Sequence, residues 1–185
     1  DAAGQLIKTT AYANATSAAQ RASGTLSVLR PSADLINDQI TYVLYDAQGR
    51  VSAQVDPAGY LTVYGYDAAG NRTAQVRCAT AVAYTGQSLS ALQTAASVAG
   101  KDQYTFWSYD ALNRVTQTLN YQGTLTTYAY NTTTGFLDSM TTASGTSDAR
   151  ITGYRYDDLG RVTNTLTGQG SASFLSGNAN AWNTD

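Results

Sequence analysis

The chain has 185 residues, of which only 13% are charged, and its net charge is −2. This length is sufficient for a sizeable hydrophobic core, whereas the low charge and the lack of a basic run argue against nucleic-acid binding through phosphate contacts. No apolar stretch of 18 residues is present, so the sequence predicts no membrane span.

Most of the side chains that carry enzyme chemistry are missing from the sequence. The chain contains no histidine, and every one of its 13 acidic residues is aspartate. These absences remove the usual general base, most zinc sites and any Ser-His-Asp triad. Cys78 is the single cysteine, which excludes an intrachain disulfide, and no cationic cluster accompanies it to activate the thiol. The sequence therefore predicts no enzyme, no cofactor and no metal site.

The chain opens with residues that recur later in the sequence. Asp1-Ala2-Ala3-Gly4 has the same residues as the segment 67–70, so we expect the first residue to lie inside a repeat and the chain to be an internal fragment of a longer protein. An insert at about 13–38 follows, which we predict to be helical or irregular. Ser17 followed by Gln20 is typical of a helix start.

A Tyr-Asp motif then dominates the sequence. Full copies of Tyr-Asp-x-x-Gly/Asn span 45–51, 66–72, 109–115 and 156–162, and a degenerate copy spans 130–137. Tyr45 and Tyr66 are 21 residues apart, as are Tyr109 and Tyr130, whereas longer intervals elsewhere leave room for inserts. Self-similarity at a fixed spacing predicts a repeat architecture.

Each copy of the motif predicts a strand, a tight turn and a second strand. Thr and aromatic residues alternate before the turn, as in Thr105-Phe106-Trp107-Ser108-Tyr109, and a period of two is the strand period. The Asp side chain accepts hydrogen bonds from turn N–H groups, while Gly or Asn three residues later takes a positive φ. We expect stacked copies to form aromatic and Thr cross-strand pairs. The predicted turn residues are Tyr45, Asp46, Gly49, Tyr66, Asp67, Gly70, Tyr109, Asp110, Asn113, Tyr130, Asn131, Gly135, Tyr156, Asp157 and Gly160.

Further elements complete the prediction along the chain. Residues 56–59 read as a turn between two strands, and a second insert at about 81–101 has helical spacing in its Ala-rich part. Ser90 with Gln93 fits a capping box there, and Gly100 fits a C-terminal stop. Cys78 is predicted to be a half-buried strand residue. Residues 168–185, rich in Gly, Ser and Asn, are predicted to be a loop.

The aspartates and the aromatic side chains each allow a second interpretation. Repeated turn aspartates could bind calcium, but one Asp for each turn favours capping. Asp157 and Asp158 are adjacent, although only one of them is needed for the turn, so a catalytic pair is disfavoured. The aromatic columns favour packing between hairpins, and the alternative is a stacking surface for sugars or a protein partner. The candidate binding face consists of Tyr64, Trp107, Tyr128 and Tyr154.

The motif, with Thr-x-Tyr-x-Tyr before it and a spacing near 21, resembles the YD repeat of RHS proteins over nearly the whole chain. That resemblance implies a mainly β fold of tandem antiparallel hairpins, wound as a curved spiral sheet that forms part of a hollow shell, with short helical inserts. It also implies a single YD-repeat array over 1–185. Bacterial RHS polymorphic toxins, insecticidal toxin complexes and animal teneurins belong to this family.

In function, the resemblance implies a non-catalytic segment of a secreted or cell-surface bacterial shell that encloses a C-terminal toxin or cargo domain. Its implied partners are the neighbouring YD repeats and the enclosed toxin, with no nucleic acid and no membrane span. The aspartyl autoprotease that some shells contain has no matching region here, so no catalytic residue is carried over. The alternative is a cell-surface adhesin or carbohydrate-binding array.

Overall fold

The fold is mainly β, with antiparallel hairpins and short helices. The computed structural model describes residues 1–23, 25, 29–34 and 36–167. Eleven strands and two helices lie in these residues. The loop predicted for 168–185 lies outside the described residues, as do parts of the first insert. Neither described helix has the length and apolar character needed to cross a membrane.

Contacts divide the described chain into two units. The first contains Asp1–Tyr64 and Val76–Asp102, and the second contains Gly65–Gln75 and the residues from Gln103 on. Within each unit, strands that are neighbours in the sheet are also neighbours in the chain. The strands are β1 Lys8–Ala11, β2 Gln39–Tyr45, β3 Val51–Val55, β4 Tyr60–Tyr66, β5 Arg72–Ala81, β6 Gln103–Tyr109, β7 Val115–Asn120, β8 Leu125–Tyr130, β9 Leu137–Thr142, β10 Arg150–Tyr156 and β11 Val162–Leu166.

One helix covers a sheet face in the first unit. Helix α2 (Leu89–Ala96) buries Leu92 and Ala96 against Ala53 and Leu61, all at most 2% exposed. Val55 and Cys78 complete the same core. Because alternate strand residues point to opposite faces, the Thr-aromatic column of β4 lies on the face that α2 does not cover.

Both helices have serine N-caps, but one predicted cap is wrong. Helix α1 (Ala18–Ser23) begins after Ser17, which exchanges hydrogen bonds with Gln20 as the capping box predicts. In α2 the N-cap is Ser88, whose hydroxyl accepts from the N–H of Ala91. The predicted box at Ser90 fails because the helix begins two residues earlier than expected.

The end of the second insert also differs from the sequence prediction. The C-cap of α2 is Ser97, three residues before the predicted stop at Gly100, which instead has φ +73° in the following turn. Asp102 then ties this segment to β5, since Oδ1 accepts from the N–H groups of Val98 and Ala79 at 3.0 and 2.8 Å. An aspartate carboxylate therefore fixes the insert to the sheet, a role that its sequence position did not reveal.

Each Tyr-Asp hairpin with a described register has an irregularity at the motif. The register shifts immediately before Tyr45, Tyr109, Tyr130 and Tyr156, so that each tyrosine lies opposite the first residue of the outgoing strand. A bulge of this kind adds local twist. The repeated bulge follows from the turn, whose last residue has a positive φ, as at Gly49 (+78°) and Asn113 (+60°).

The expected direct pairing of aromatic columns does not occur in the second unit. Trp107 lies opposite Thr118, which in turn lies opposite Thr126, while Tyr128 lies opposite Met140. An outgoing strand separates each pair of columns, so the backbones of successive columns are about two strand spacings, roughly 9.6 Å, apart. Trp107 and Tyr128 are therefore paired with Thr and Met of the strands between the columns.

Candidate functional site

The turn of each full motif copy is built on one carboxylate. In the first copy, Asp46 Oδ1 accepts from the N–H groups of Gln48 and Arg50 at 3.0 and 2.9 Å, and Oδ2 accepts from the Arg50 guanidinium at 2.7 Å. Asp110 with Arg114 and Asp157 with Arg161 repeat this arrangement. The carboxylates thus satisfy turn N–H groups that the hairpin itself leaves unpaired.

Where the motif lacks Asp or Arg, an asparagine side chain forms the equivalent hydrogen bonds. Asn131 Oδ1 accepts from the N–H groups of Thr133 and Thr134, both at 2.9 Å, in a turn that is one residue longer. Asn71 stands where Arg stands in other copies and donates to Asp67 Oδ2 at 2.9 Å. Turn closure therefore needs a side-chain oxygen at the Asp position but does not need a charge.

Hydrogen bonding lowers the pKa of the turn carboxyls. At Asp110 and Asp157, the N–H of the arginine four residues on is the main cause that keeps the pKa below its ordinary value, and it outweighs the opposing effect of burial. At Asp46, burial alone would raise the pKa, but the hydrogen bonds from Arg50 and Gln48 lower it. The charged form of each carboxyl is therefore preferred in the folded state.

These shifts predict acid sensitivity. A carboxyl whose pKa is lower folded than unfolded contributes stability above its unfolded pKa, near 4, and this contribution disappears as the pH falls through the folded pKa. We expect the melting temperature to be flat between about pH 7 and 5 and to fall below about pH 4. A variant with Asp46→Asn, Asp110→Asn and Asp157→Asn retains Oδ1 but does not titrate, and we expect its acid decline to be smaller. Equal declines in scanning calorimetry would contradict this role.

A second contact joins four of the motif copies to the preceding one. Tyr109 donates its phenolic hydrogen to the carbonyl of Arg72 at 2.8 Å, and Tyr130 donates to Val115 O at 2.8 Å. The acceptor is the residue five positions after the preceding turn Asp in both cases. Tyr45 to Leu6 O and Tyr156 to Leu137 O, both at 3.0 Å, repeat the contact at two further junctions.

Burial keeps two of these phenols in the donating form. Burial is the main cause that raises the pKa of Tyr130 and of Tyr156 above the ordinary value. Both groups therefore remain protonated well above neutral pH, and each can donate to a carbonyl. We call this hydrogen bond, from the motif tyrosine to the carbonyl after the preceding turn, the tyrosine tether.

Removing one tether has a predictable cost. Tyr130→Phe keeps the ring and removes only the hydroxyl, which leaves the carbonyl of Val115 without this donor. We expect a loss of about 0.5–1.5 kcal/mol in the free energy of unfolding. The matched control is Tyr121→Phe, at a tyrosine that is 49% exposed in a turn, where we expect no measurable change. Equal effects of the two variants in urea denaturation would count against the tether.

A third contact runs forward from three of the motif copies to the next turn. The side chain four residues after the turn Asp reaches the turn of the following copy. Arg114 Nη1 donates to Gly135 O at 3.0 Å, and its guanidinium lies over the Tyr130 ring at 4.3 Å. Gln5 to Gly49 O at 3.3 Å and Asn71 to Asn113 Oδ1 at 2.7 Å are the equivalent contacts. We call this position the forward side chain.

The degenerate copy replaces the forward arginine with an aromatic ring. Phe136 packs against Tyr156 with ring centroids 4.8 Å apart. It also fills the space above the next turn, because a Cβ added at Gly160 would lie 2.9 Å from Phe136 Cζ. Neighbouring turns therefore remain in contact at the copy that lacks the motif arginine, through apolar packing in place of a hydrogen bond.

The four residues of the candidate binding face are divided between the two units. Tyr64 lies on β4 in the first unit, and its hydroxyl donates to Gln54 Oε1 at 3.2 Å. Trp107, Tyr128 and Tyr154 lie on β6, β8 and β10 in the second unit, and all three are half-buried. Tyr154 borders a cavity of about 470 Å³ that is also lined by Phe136, Tyr156, Asp138, Arg155 and Asp158.

Among the described residues, the other chemically capable side chains do not gather into a reactive site. Cys78 is 3% exposed, more buried than the half-buried position predicted, and burial followed by the charge of Asp102 raises the pKa of its thiol. A raised pKa disfavours the reactive thiolate. Across the residues that the structure describes, no cluster of three or more potential metal ligands occurs. Asp158 is exposed beside the turn that Asp157 caps.

The sequence comparison matches one hairpin region. The RHS repeat family model matches residues 45–82, which cover β3, β4, β5 and their turns. No curated protein matches the sequence.

The fold is similar to parts of solved toxin structures. A crystal structure of TcdB2-TccC3 without its hypervariable C-terminal region matches with a TM-score of 0.59 and 19% identity, over 89% of this chain and 7% of that one. The crystal structure of TcdB2-TccC3-Cdc42 matches with a TM-score of 0.53 and 21% identity, over 71% and 6%. A Photorhabdus luminescens Tc holotoxin pore matches with a TM-score of 0.53 and 20% identity, over 70% and 5%.

The chain thus spans less than a tenth of the length of these structures. At such identities the likeness establishes the fold alone, and the family match concerns residues 45–82. Residues 45–82 match the RHS repeat family, and the described chain is an array of antiparallel hairpins with the fold found in these Tc toxin structures.

Proposed function

We propose that the chain is a non-catalytic wall segment of a secreted or cell-surface RHS/YD-repeat shell that encloses a toxin or cargo domain. The observation that carries the proposal is that the motif side chains form contacts within and between the hairpins. The turn carboxylates close their own turns, while the tyrosine tethers and the forward side chains join one hairpin to the next. Side chains engaged in this way extend a wall and leave no reactive group in the motif.

The proposed wall is a curved spiral sheet made of YD hairpins. Bulges at Tyr45, Tyr109, Tyr130 and Tyr156 support curvature, because each bulge bends its strand and increases the twist. The likeness to the Tc toxin structures supports the same role, since the fold is the one found there. On this proposal the whole of 1–185 is one repeat array, with inserts at about 13–38 and 81–101.

Imaging of the full-length polypeptide that carries this chain tests the proposal. We expect electron microscopy to show a closed particle with internal density, and we expect that density to disappear when the cargo domain is deleted. An open ribbon or a solid particle would contradict enclosure.

The alternative function is carbohydrate binding, for which the cavity beside Tyr154 is the candidate site. Sugar recognition commonly needs an aromatic face together with hydrogen-bonding groups, and this cavity combines three rings with Asp138, Asp158 and Arg155. A glycan panel screened with the native protein and with Tyr154→Ala tests it, with Tyr121→Ala as the matched surface control. Binding that only Tyr154→Ala removes would support the alternative, whereas no binding to the panel would exclude it.

A further inference from the structure

Two basic side chains of the first unit, Lys8 and Arg30, have no acidic partner among the described residues. Both are exposed, and neither forms an ion pair or donates a side-chain hydrogen bond within the described part of the chain. The arginines that do pair with aspartates are Arg50, Arg77, Arg114 and Arg161. Cations without a carboxylate partner are the groups that bind an anionic ligand through charge-assisted hydrogen bonds.

The strand register places Lys8 on the sheet face that α2 covers. Lys8 lies opposite Tyr42 in the adjacent strand. Tyr42 in turn lies opposite Val55, which lies opposite Leu61. Directly opposite residues of antiparallel strands project from the same face, and Val55 and Leu61 belong to the core that α2 closes. Lys8 therefore lies on the apolar face, where its Nζ is 5.7 Å from the centre of the Tyr42 ring.

A cavity of about 560 Å³ is lined by β1, by the residue that follows it and by part of the first insert. Its polar lining consists of the Lys8 ammonium, the Arg30 guanidinium and the hydroxyls of Thr10 and Tyr12. Neither hydroxyl forms a hydrogen bond with another described residue. None of the described lining residues is acidic, so a ligand that fills this cavity has to supply the acceptor oxygens.

Lys8 also lines a second cavity, of about 350 Å³, whose walls include the rings of Tyr42 and Tyr84. These rings pack against each other with centroids 4.8 Å apart. Asp1 borders the same cavity, but its Oδ1 accepts from two N–H groups of its own turn, both at 2.9 Å. Because Lys8 borders both cavities, an anion held by Lys8 and Arg30 lies next to the space beside the tyrosine rings.

We propose that these two cavities together bind a small molecule in which a planar aromatic ring carries a phosphate group, as in an aryl phosphate. The Arg30 guanidinium and the Lys8 ammonium contact the phosphate oxygens, and the Tyr12 hydroxyl donates a further hydrogen bond. The ring of the ligand packs against Tyr84. Arginine suits this role because its planar group donates two parallel N–H bonds to a phosphate.

The size of the cavities fits such a ligand, since sites for small molecules have volumes of about 300–1,000 Å³ and combine apolar walls with a few polar groups. All of the lining residues belong to the first unit. A wall segment needs no such ligand, so the inference goes beyond the proposed function and does not depend on it.

Titration calorimetry of the 185-residue chain with phenyl phosphate tests the proposal. We expect saturable binding that weakens as the salt concentration rises, because salt screens exposed charges. Arg30→Gln should weaken binding about 10-fold, since a charge-assisted hydrogen bond is lost. Arg150→Gln is the matched control, because it makes the same change of charge at an exposed arginine of the second unit, and it should leave binding unchanged.

Tyr84→Leu separates the two parts of the proposed site. Tyr84 lines the second cavity and not the first, and leucine keeps apolar bulk while removing the ring. We expect this variant to bind phenyl phosphate about 2- to 10-fold more weakly, as expected for the loss of one ring–ring contact. Its weaker affinity for inorganic phosphate should equal that of the native chain. Benzyl alcohol, which has the ring without the charge, should not bind measurably.

Three results would overturn the proposal. The first is the absence of saturable binding of phenyl phosphate to a chain that melts normally. The second is an equal effect of Arg30→Gln and Arg150→Gln, which would mean that the attraction is not localised at this cavity. The third is equal affinity for inorganic phosphate and phenyl phosphate, which would mean that the cavity beside Tyr84 does not hold the ring. Melting curves monitored by circular dichroism establish that each variant is folded before its binding is compared.

Discussion

Leu61→Ala is expected to destabilise the first unit by about 2–5 kcal/mol. Leu61 is 0% exposed, lies opposite Val55 in the adjacent strand and belongs to the core that α2 closes through Leu92. Truncation removes buried methyl groups and leaves a cavity, because the strands on both sides are held by their ladders and cannot collapse into it. Chemical denaturation monitored by circular dichroism measures the loss.

The control for this variant is Leu112→Ala, which removes the same atoms from a leucine that is 71% exposed in a turn. We expect a change within about 0.5 kcal/mol there. If Leu61→Ala cost no more than Leu112→Ala, the helix-covered face would not be a packed core, and the role assigned to α2 would be wrong.

The sequence was sufficient to predict the strands and the main turns, because both depend on local chemistry. A period of two identified the incoming strands, and Asp with Gly or Asn three residues later identified the turns, as the positive φ of Gly160 and Asn113 illustrates. The fold class then followed from the repetition of the motif. Conformations fixed within about six residues leave a readable signature in the order of the amino acids.

Contacts between copies were not predictable in the same way. Gln5, Asn71 and Arg114 share one position relative to the turn Asp, yet they are three different residue types, so the sequence does not mark them as equivalent. Their common feature is a side-chain N–H that reaches the next turn. A search by position after each turn, rather than by residue type, would have found them.

Two errors arose where tertiary packing overrides local preference. Ser90 and Gln93 have the spacing of a capping box, but Ser88 caps the helix, which brings Leu89 into it beside the core, and Ser90 lies within the first turn. The aromatic columns were expected to pair directly, but the antiparallel order places an outgoing strand between them. Both outcomes depend on which elements are neighbours, which a single hairpin sequence does not specify.

The helix-covered face and the column face have different chemistry, and this bears on the proposed shell. In the first unit, α2 covers the face with Ala53 and Leu61, while Gln54 and Tyr64 lie on the opposite face and bond to each other. The column face therefore offers polar groups and half-buried rings, whereas the helix already occupies the apolar face.

A large loss of stability is also expected from Gly59→Ala in the turn at residues 56–59. This substitution combines the cost of a left-handed backbone conformation with the cost of overpacking, and the two can be separated. Gly59 has φ +87°, and a Cβ added there would lie 2.9 Å from the Val82 carbonyl oxygen and 3.3 Å from Ala81 Cβ. Gly59 O also accepts from the N–H of Val82 at 2.8 Å, so this backbone cannot retreat without losing a hydrogen bond. Gly59→Ala should therefore add the left-handed backbone penalty to an overpacking penalty, together about 2–5 kcal/mol.

Gly70→Ala is the matched control, because Gly70 occupies the same place in its turn with φ +91° but has nothing within 4 Å of an added Cβ. We expect a cost of about 1–2 kcal/mol there, from backbone conformation alone. The difference between the two variants in urea denaturation measures the close approach of Gly59 to Val82. Equal costs would mean that the approach is looser than described, whereas a larger cost at Gly59 would establish that this turn is held by the start of the second insert as well as by its own hydrogen bonds.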